Sequence, residues 1–287
     1  MTLLRAGLIG HPVAHSRSPA LQQEAFDALG IPARYELWDT EPYDLPARVT
    51  ALRGADMLGA NVTIPYKITV CDLLDAVRSE EARLTGAVNT IVCAQSGDCV
   101  ALAGHNTDVS ALRRIFTEQA RQLSGVRVLV LGAGGAARSA VAAALLDGAV
   151  PWVAARRPEA GRALLTEMGQ RITLPAASQA FDLLDVRALT EALRETAILV
   201  NATPLGTLDS TVSPMPLALL DALPMGAFVF DMVYNPPATA LARAASARGL
   251  RASGGLPMLL YQGAAAFTLW TGQPAPLEVM RAALGLV

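Results

Sequence analysis

Residues 128–140 read VLVLGAGGAARSA. Four apolar residues run straight into Gly132, Gly134 and Ala137, spaced as G-x-G-x-x-A, and an alanine-rich, helix-forming stretch follows. The pattern predicts a strand, a tight turn and a helix. Gly132 allows the turn, Gly134 lets the backbone approach a phosphate, and Ala137 keeps the helix close to the sheet. The start of that helix then offers unpaired N–H groups to an anion. Gly132, Ala133, Gly134, Gly135 and Ala136 are therefore the candidate residues for a dinucleotide pyrophosphate. A glycine turn that binds nothing is the competing reading, and it leaves the matched strand and helix unexplained.

The next strand carries the choice of dinucleotide. It spans 150–156, VPWVAAR, and its end reads AARRPE. A site for NAD places an acidic residue there to take the ribose 2′-hydroxyl. Arg156 and Arg157 stand there instead, and two guanidinium groups suit a 2′-phosphate. NADP is the expected cofactor.

Outward from this unit the same alternation repeats. Downstream come a helix from 158, a strand near ITLP (172–175), strands AILVNAT (197–203) and AFVFDMVY (227–234), and a mainly helical stretch over 238–287. Upstream, strands are expected at 3–10, 33–40 and 57–64, with helices at 18–30, 44–53, 67–75 and 78–84. AVNTIVCA and CVALAG form a hairpin that closes the first unit, and a helix from 107 leads to the glycine turn. Strand–helix alternation of this kind predicts an α/β fold with mostly parallel sheets. The boundary between the two domains falls at 106/107.

The bulk properties agree. A chain of 287 residues with 52% hydrophobic and 17% charged residues suits about two domains with full cores. The net charge of −2 gives no electrostatic case for nucleic acid. No apolar run reaches the ~18 residues of a membrane span, and the N-terminus lacks the features of a secretion signal. Cys71, Cys93 and Cys99 read as reduced residues of a cytoplasmic protein. With the hairpin turn centred on QSGD (95–98), Cys99 falls opposite Ala94, so the two strand thiols are not paired. His11, His15 and His105 lack metal-ligand spacing, and no metal is expected.

The basic residues hold a second signal. They number 23, and the single lysine among them is Lys67, at the end of NVTIPYK (61–67). Arginine cannot give up its proton in a protein, whereas lysine can. A position that needs an exchangeable proton keeps its lysine. Lys67 follows Pro65 and is expected in the first turn of a helix, where the dipole disfavours a charged amine. Asn61 and Thr63 precede it on one strand face. Asn89 in GAVNT (86–90) and Asn106, Thr107 and Asp108 in GHNTD (104–108) lie at other strand ends, where open α/β sheets bind ligands. Ser16 and Ser18 stand two apart ahead of a helix with Pro19 in its first turn, offering two hydroxyls to one group. For Ser18, Thr107 and Asp108 helix capping is the competing reading.

Together these residues resemble the shikimate dehydrogenase family. The matching pieces are SRSP (16–19), NVTIPYK, GAVNT, GHNTD, GAGGAAR (132–138), NATPLGT (201–207), DMVYNPPAT (231–239) and GGLPMLLYQGAAAF (254–267). They occur in the family's order and span nearly the whole chain. The resemblance implies a substrate domain over 1–106, a Rossmann-type NADP-binding domain over 107–239, and helices of 240–287 packed back on the first domain. It implies reversible reduction of 3-dehydroshikimate to shikimate with NADPH. Lys67 would be the acid/base, with Asp108 beside it. Ser16 and Ser18 would hold the substrate carboxylate. Thr63, Asn89, Tyr234 and Gln262 would bind ring hydroxyls or the carboxylate. Met232 and Gly255 would lie near the nicotinamide, with Glu80 as a cofactor-side acid.

The chain departs from the family where the cofactor strand ends Ala155-Arg156-Arg157, at Val109 and Ala111, and at Pro257. A quinate/shikimate dehydrogenase with relaxed substrate or NAD use is the nearest alternative. A methylenetetrahydrofolate dehydrogenase and a non-catalytic dinucleotide sensor are further ones. The partner expected is a small molecule, with no nucleic acid and no membrane, and a homodimer is the assembly considered.

Overall fold

A computed structural model describes residues 3–96, 99–119, 122–207 and 209–286. The elements in chain order begin with β1 (Leu4–Gly10), α1 (Ser18–Ala28), β2 (Ala33–Asp39), α2 (Leu45–Ala51) and β3 (Met57–Val62). Then come β4 (Ala76–Val77), α3 (Glu80–Thr85), β5 (Thr90–Ser96), β6 (Cys99–His105) and α4 (Thr107–Gln119). The middle of the chain gives β7 (Arg127–Leu131), α5 (Gly135–Leu146), β8 (Val150–Ala155), α6 (Pro158–Gly169), β9 (Gln179–Asp182) and α7 (Val186–Arg194). The remainder is β10 (Thr196–Asn201), β11 (Phe228–Asp231), α8 (Ala240–Ala247), β12 (Arg251–Ser253), α9 (Leu256–Thr271) and α10 (Leu277–Ala283).

The chain folds as two compact units. One comprises residues 1–110 and 259–287, the other 111–258. The first holds a six-stranded sheet in the order β2-β1-β3-β5-β6-β4. Its pairs β1–β2, β1–β3 and β4–β6 are parallel, and β3–β5 and β5–β6 are antiparallel. One core of this unit joins Ile9, Trp38, Val62, Tyr66, Val88 and Ile91. The helices α1 and α9 meet through Phe26 and Phe267, ring centroids 5.2 Å apart, and through Gln22 Nε2 donating to the Gly263 carbonyl at 2.9 Å. The edge strand β2 is covered in part by one side chain. The Gln23 amide donates to the Ala33 carbonyl and accepts from the Tyr35 N–H, both at 3.1 Å.

The second unit holds six parallel strands in the order β12-β11-β10-β7-β8-β9. Within that unit this is the 6-5-4-1-2-3 order of a dinucleotide-binding sheet. The sheet order reverses at β7, the strand that feeds the glycine turn. Alanine makes the close packing there possible. Ala137, Ala140, Ala142, Ala143 and Ala144 of α5 are fully buried, and alanine is also the best helix former.

Several expectations shift. The domain boundary falls within α4, and 240–258 stays with the second unit, because β12 extends its sheet beside β11. Only the chain from Leu259 on returns to the first unit. The strand expected at ITLP is a loop. The Arg171 and Ile172 N–H groups close the end of α6 on the Met168 carbonyl, Pro175 has no N–H for a ladder, and the strand forms later as β9. The hairpin turn is tighter than expected, since Ser96 pairs with Cys99 and Cys93 with Leu102. Its residues Gly97 and Asp98 lie outside the described ones, and Cys93 and Cys99 are still not opposite one another.

Candidate active site

In the first unit Lys67 sits in the turn between β3 and a 3-10 turn at Thr69–Leu73. The expectation of a first helical turn is corrected: Pro65 breaks β3 without starting an α-helix. The Lys67 carbonyl accepts from the Val88 N–H at 2.7 Å, which ties this turn to the approach to β5. Lys67 Nζ donates to Asp108 Oδ2 at 2.7 Å, with side chains only 15% and 4% exposed. Asn89 Nδ2 donates to Asp108 Oδ1 at 2.7 Å.

Asp108 is placed by the start of α4. The cap there is Asn106, whose Oδ1 accepts from the N–H groups of Asp108 and Val109 at 3.1 and 3.3 Å. Capping therefore does not account for Thr107 or Asp108, and their side chains are released for the cluster. Thr107 contributes its N–H to Asn89 Oδ1 at 2.7 Å and its hydroxyl to the same group. The carboxylate thus has a donor on each oxygen and an amine at one of them, an arrangement that orients the amine for proton exchange.

Ser16 and Ser18 come together at the start of α1. Ser18 is the first helical residue rather than the cap. Its N–H donates to Ser16 Oγ at 3.2 Å, and the two hydroxyls lie 3.1 Å apart. Thr63 follows β3, half-buried, with its N–H on the Ile9 carbonyl at 2.9 Å. Gln262 is half-buried on α9, which packs against α1, and its Nε2 donates to the Leu259 carbonyl at 3.0 Å. These residues share one unit. Glu80 also belongs to it, but lies exposed in the first turn of α3 behind its cap Ser79, and the glycine turn belongs to the other unit. Among the described residues no group of three or more metal-ligating side chains occurs.

In the second unit the glycine turn is built as its spacing predicts. Gly132 has φ +109°, where a side chain would be strained, and its N–H donates to the Ala154 carbonyl at 2.8 Å. Gly134 caps α5 in an extended conformation, and a Cβ there would meet nothing within 4 Å. The protein's own packing does not require glycine at 134. A ligand backed onto the first turn of α5 does, because the leading N–H groups of that helix have no intrahelical acceptors. The residues present thus fit a pyrophosphate. Arg156 and Arg157 are exposed directly after β8, the strand hydrogen-bonded to Gly132.

Met232 and Gly255 also meet. The Gly255 N–H donates to the Val233 carbonyl at 2.9 Å, and any Cβ on Gly255 would strike the Met232 carbonyl. Tyr234 is half-buried on the same segment and so belongs to the second unit, apart from the other expected substrate residues. Sequence reasoning missed the knot that holds this segment. Asp231 is fully buried and accepts from Thr239 Oγ1 at 2.6 Å, Asn201 Nδ2 at 2.8 Å and the Val233 N–H at 3.0 Å. Burial pushes its carboxyl above the usual range, and the three donors oppose that shift. The stretches NATPLGT and DMVYNPPAT contain all four residues, but nothing in their spacing says they meet.

Family profiles match the chain near its two ends. The profile of the shikimate dehydrogenase substrate binding domain matches residues 8–91, and that of the shikimate 5′-dehydrogenase C-terminal domain matches 255–284. A shikimate dehydrogenase (NADP(+)) of Thermus thermophilus is 40% identical over 288 residues, covering 99% of this chain and all of the relative. The chain belongs to the shikimate dehydrogenase family. A crystal structure of that family from Thermus thermophilus, in complex with NADP(H) and shikimate, has a TM-score of 0.83 at 39% identity, covering 98% of each chain. The quinate dehydrogenase of Corynebacterium glutamicum, in complex with NAD, has a TM-score of 0.86 at 30% identity over 99% of each chain. The fold is therefore shared across family members with different substrates, and the residues of the site must separate them.

Proposed function

We propose that this chain reduces 3-dehydroshikimate to shikimate with NADPH, reversibly, and that Lys67 exchanges the proton of the C3 oxygen. The observation that carries the reading is the 2.7 Å contact of the single lysine with Asp108, both largely buried. The bound cofactor supplies the hydride that C3 accepts. Lys67 Nζ gives a proton to the carbonyl oxygen as C3 becomes tetrahedral, and takes it back in the reverse direction. Asp108 accepts from that amine and from Asn89 throughout, so it orients the amine. Ser16 and Ser18 hold the substrate carboxylate, while Thr63, Asn89, Tyr234 and Gln262 bind its hydroxyls. Gly132–Ala136 and the start of α5 hold the pyrophosphate, Arg156 and Arg157 the 2′-phosphate, and Met232 with Gly255 the nicotinamide end. The free thiols Cys71 and Cys93 are compatible with a cytoplasmic setting.

Activity toward quinate is the rival, because the quinate dehydrogenase shares the fold. The paired arginines and the higher identity to NADP-named relatives favour shikimate with NADP. The test is initial-rate cofactor reduction by the purified protein, with shikimate against quinate and NADP against NAD. A strong signal for shikimate with NADP alone is expected. Equal rates with quinate or NAD would move the chain to the broader quinate/shikimate group.

A further inference from the structure

Asp108 ends a chain of side-chain hydrogen bonds that starts on the edge strand of the first sheet. The Tyr35 hydroxyl on β2 reaches past β1 to Asn61 Oδ1 on β3 at 2.8 Å. Asn61 Nδ2 meets the Asn89 carbonyl at 3.3 Å and Thr90 Oγ1 at 3.2 Å. Thr90 Oγ1 meets Asn89 Oδ1 at 3.1 Å, and Asn89 Nδ2 meets Asp108 Oδ1 at 2.7 Å. Tyr35, Asn61, Asn89, Thr90 and Asp108 are all buried.

Two main-chain groups set which way both amides point. The Thr107 N–H can only donate, so the end of Asn89 that it meets is the carbonyl, and the amide NH2 faces Asp108. The Asn89 carbonyl can only accept, so the end of Asn61 that it meets is the NH2. The other end of Asn61 therefore faces Tyr35, whose hydroxyl is the donor. Thr90 accepts from Asn61, and its own proton goes either to Asn89 Oδ1 at 3.1 Å or to Thr107 Oγ1 at 3.2 Å, itself a partner of Asn89. The amide donors of Asn61 and Asn89 point from β2 toward Asp108, whose second oxygen holds Lys67. A carboxylate pinned at Oδ1 cannot turn about its axis, so Oδ2 stays on the amine.

We propose that Tyr35 and Asn61 are positioning residues for Lys67, acting through Asn89 and Asp108. The proposal rests on the reading of Lys67 as the proton-exchanging group. Buried polar chains of this kind hold one geometry when every member is satisfied.

The single lysine makes a direct test possible. Labelling lysine with 13Cε and 15Nζ gives one side-chain signal, that of Lys67. Tyr35→Phe removes one oxygen and keeps the ring, which lies 6.1 Å from Trp270. The Lys67 signal should shift and kcat should fall about tenfold, while each KM stays within about twofold. The exposed Tyr43→Phe serves as the control. Asn61→Asp tests polarity. As a carboxylate it cannot donate to Thr90 or the Asn89 carbonyl, and once protonated it can. Its kcat per folded enzyme, with the folded fraction measured at each pH because a buried carboxylate also regains stability on protonation, should therefore rise relative to the parent as pH falls. An unmoved Lys67 signal in both variants, or a relative kcat flat in pH, overturns the proposal. If the parent itself fails to oxidise shikimate while the signal still shifts, the positioning chain stands and the functional reading falls.

Discussion

The two units prepare their ligand groups by different means. In the first, the Lys67 amine is held by Asp108 of α4, which Asn89, just ahead of β5, holds in turn, so each oxygen of Asp108 has its donor before any ligand arrives. In the second, the proposed anion cradle is main chain. Gly132 turns the backbone, Gly134 leaves room that no side chain of the protein fills, and two exposed arginines stand free of any packed framework. Pre-ordered side chains suit a step in which one proton must sit at one atom. An open backbone cradle suits a long, flexible cofactor held at several points. The two sites should therefore fail differently under mutation.

The largest effect is expected at the amine. Lys67→Met removes the proton donor and leaves the hydroxyl-binding residues, so turnover should drop by about 10²–10⁴-fold with shikimate affinity little changed. Rapid-quench turnover and equilibrium binding check this, and near-normal turnover would sink the acid/base role. Next comes the cradle. Gly134→Val puts branched carbons where only a ligand would be, at a φ that any residue adopts. NADP affinity should fall about 100-fold, about 2.7 kcal/mol, while stability falls by only about 1 kcal/mol, the cost of replacing glycine at a helix N-cap. An equal loss in stability and affinity would show that the glycine serves the fold instead. Arg156→Ala should weaken NADP about tenfold and leave NAD unchanged, the scale of one charge-assisted hydrogen bond. Parallel losses for both cofactors would contradict the 2′-phosphate role.

The smallest effect lies at the loop before α1. His11 Nδ1 is 2.8 Å from Asp39 Oδ1, and that hydrogen bond, with Glu41 and the Asp39 charge adding, raises its pKa above 6.5. A raised pKa means the folded state binds the proton more tightly. The stabilisation is complete below pH 6.5 and is lost as pH climbs through the folded value. His11→Asn should be less stable than the parent in acid and converge with it in base. Thermal unfolding at both ends of that window decides the point, and a gap independent of pH would contradict it.

The glycine turn was legible because its parts are contiguous. A strand, the motif's two glycines and an alanine-rich helix follow one another without a break over 127–146, and each has a backbone reason to stand where it does. Lys67 was legible by composition, as the one lysine among 23 basic residues. Its partner was legible only as a strand-end acid, because nothing in the sequence signals a contact across a separation of 41 positions. The cap of α4 stayed open for a local reason. Asn106, Thr107 and Asp108 are all capping types, and only the geometry shows which one turns back. Short elements escaped as well. β4 has two residues and β12 three, too few for a period to register.

Gln23 has a consequence for how sheets recruit strangers. Its amide stands in for one rung of a strand that is not there, donating at Ala33 and accepting at Tyr35. An incoming peptide must displace that counterfeit rung before it can zip along β2, so the border is guarded at its first step by one neutral side chain.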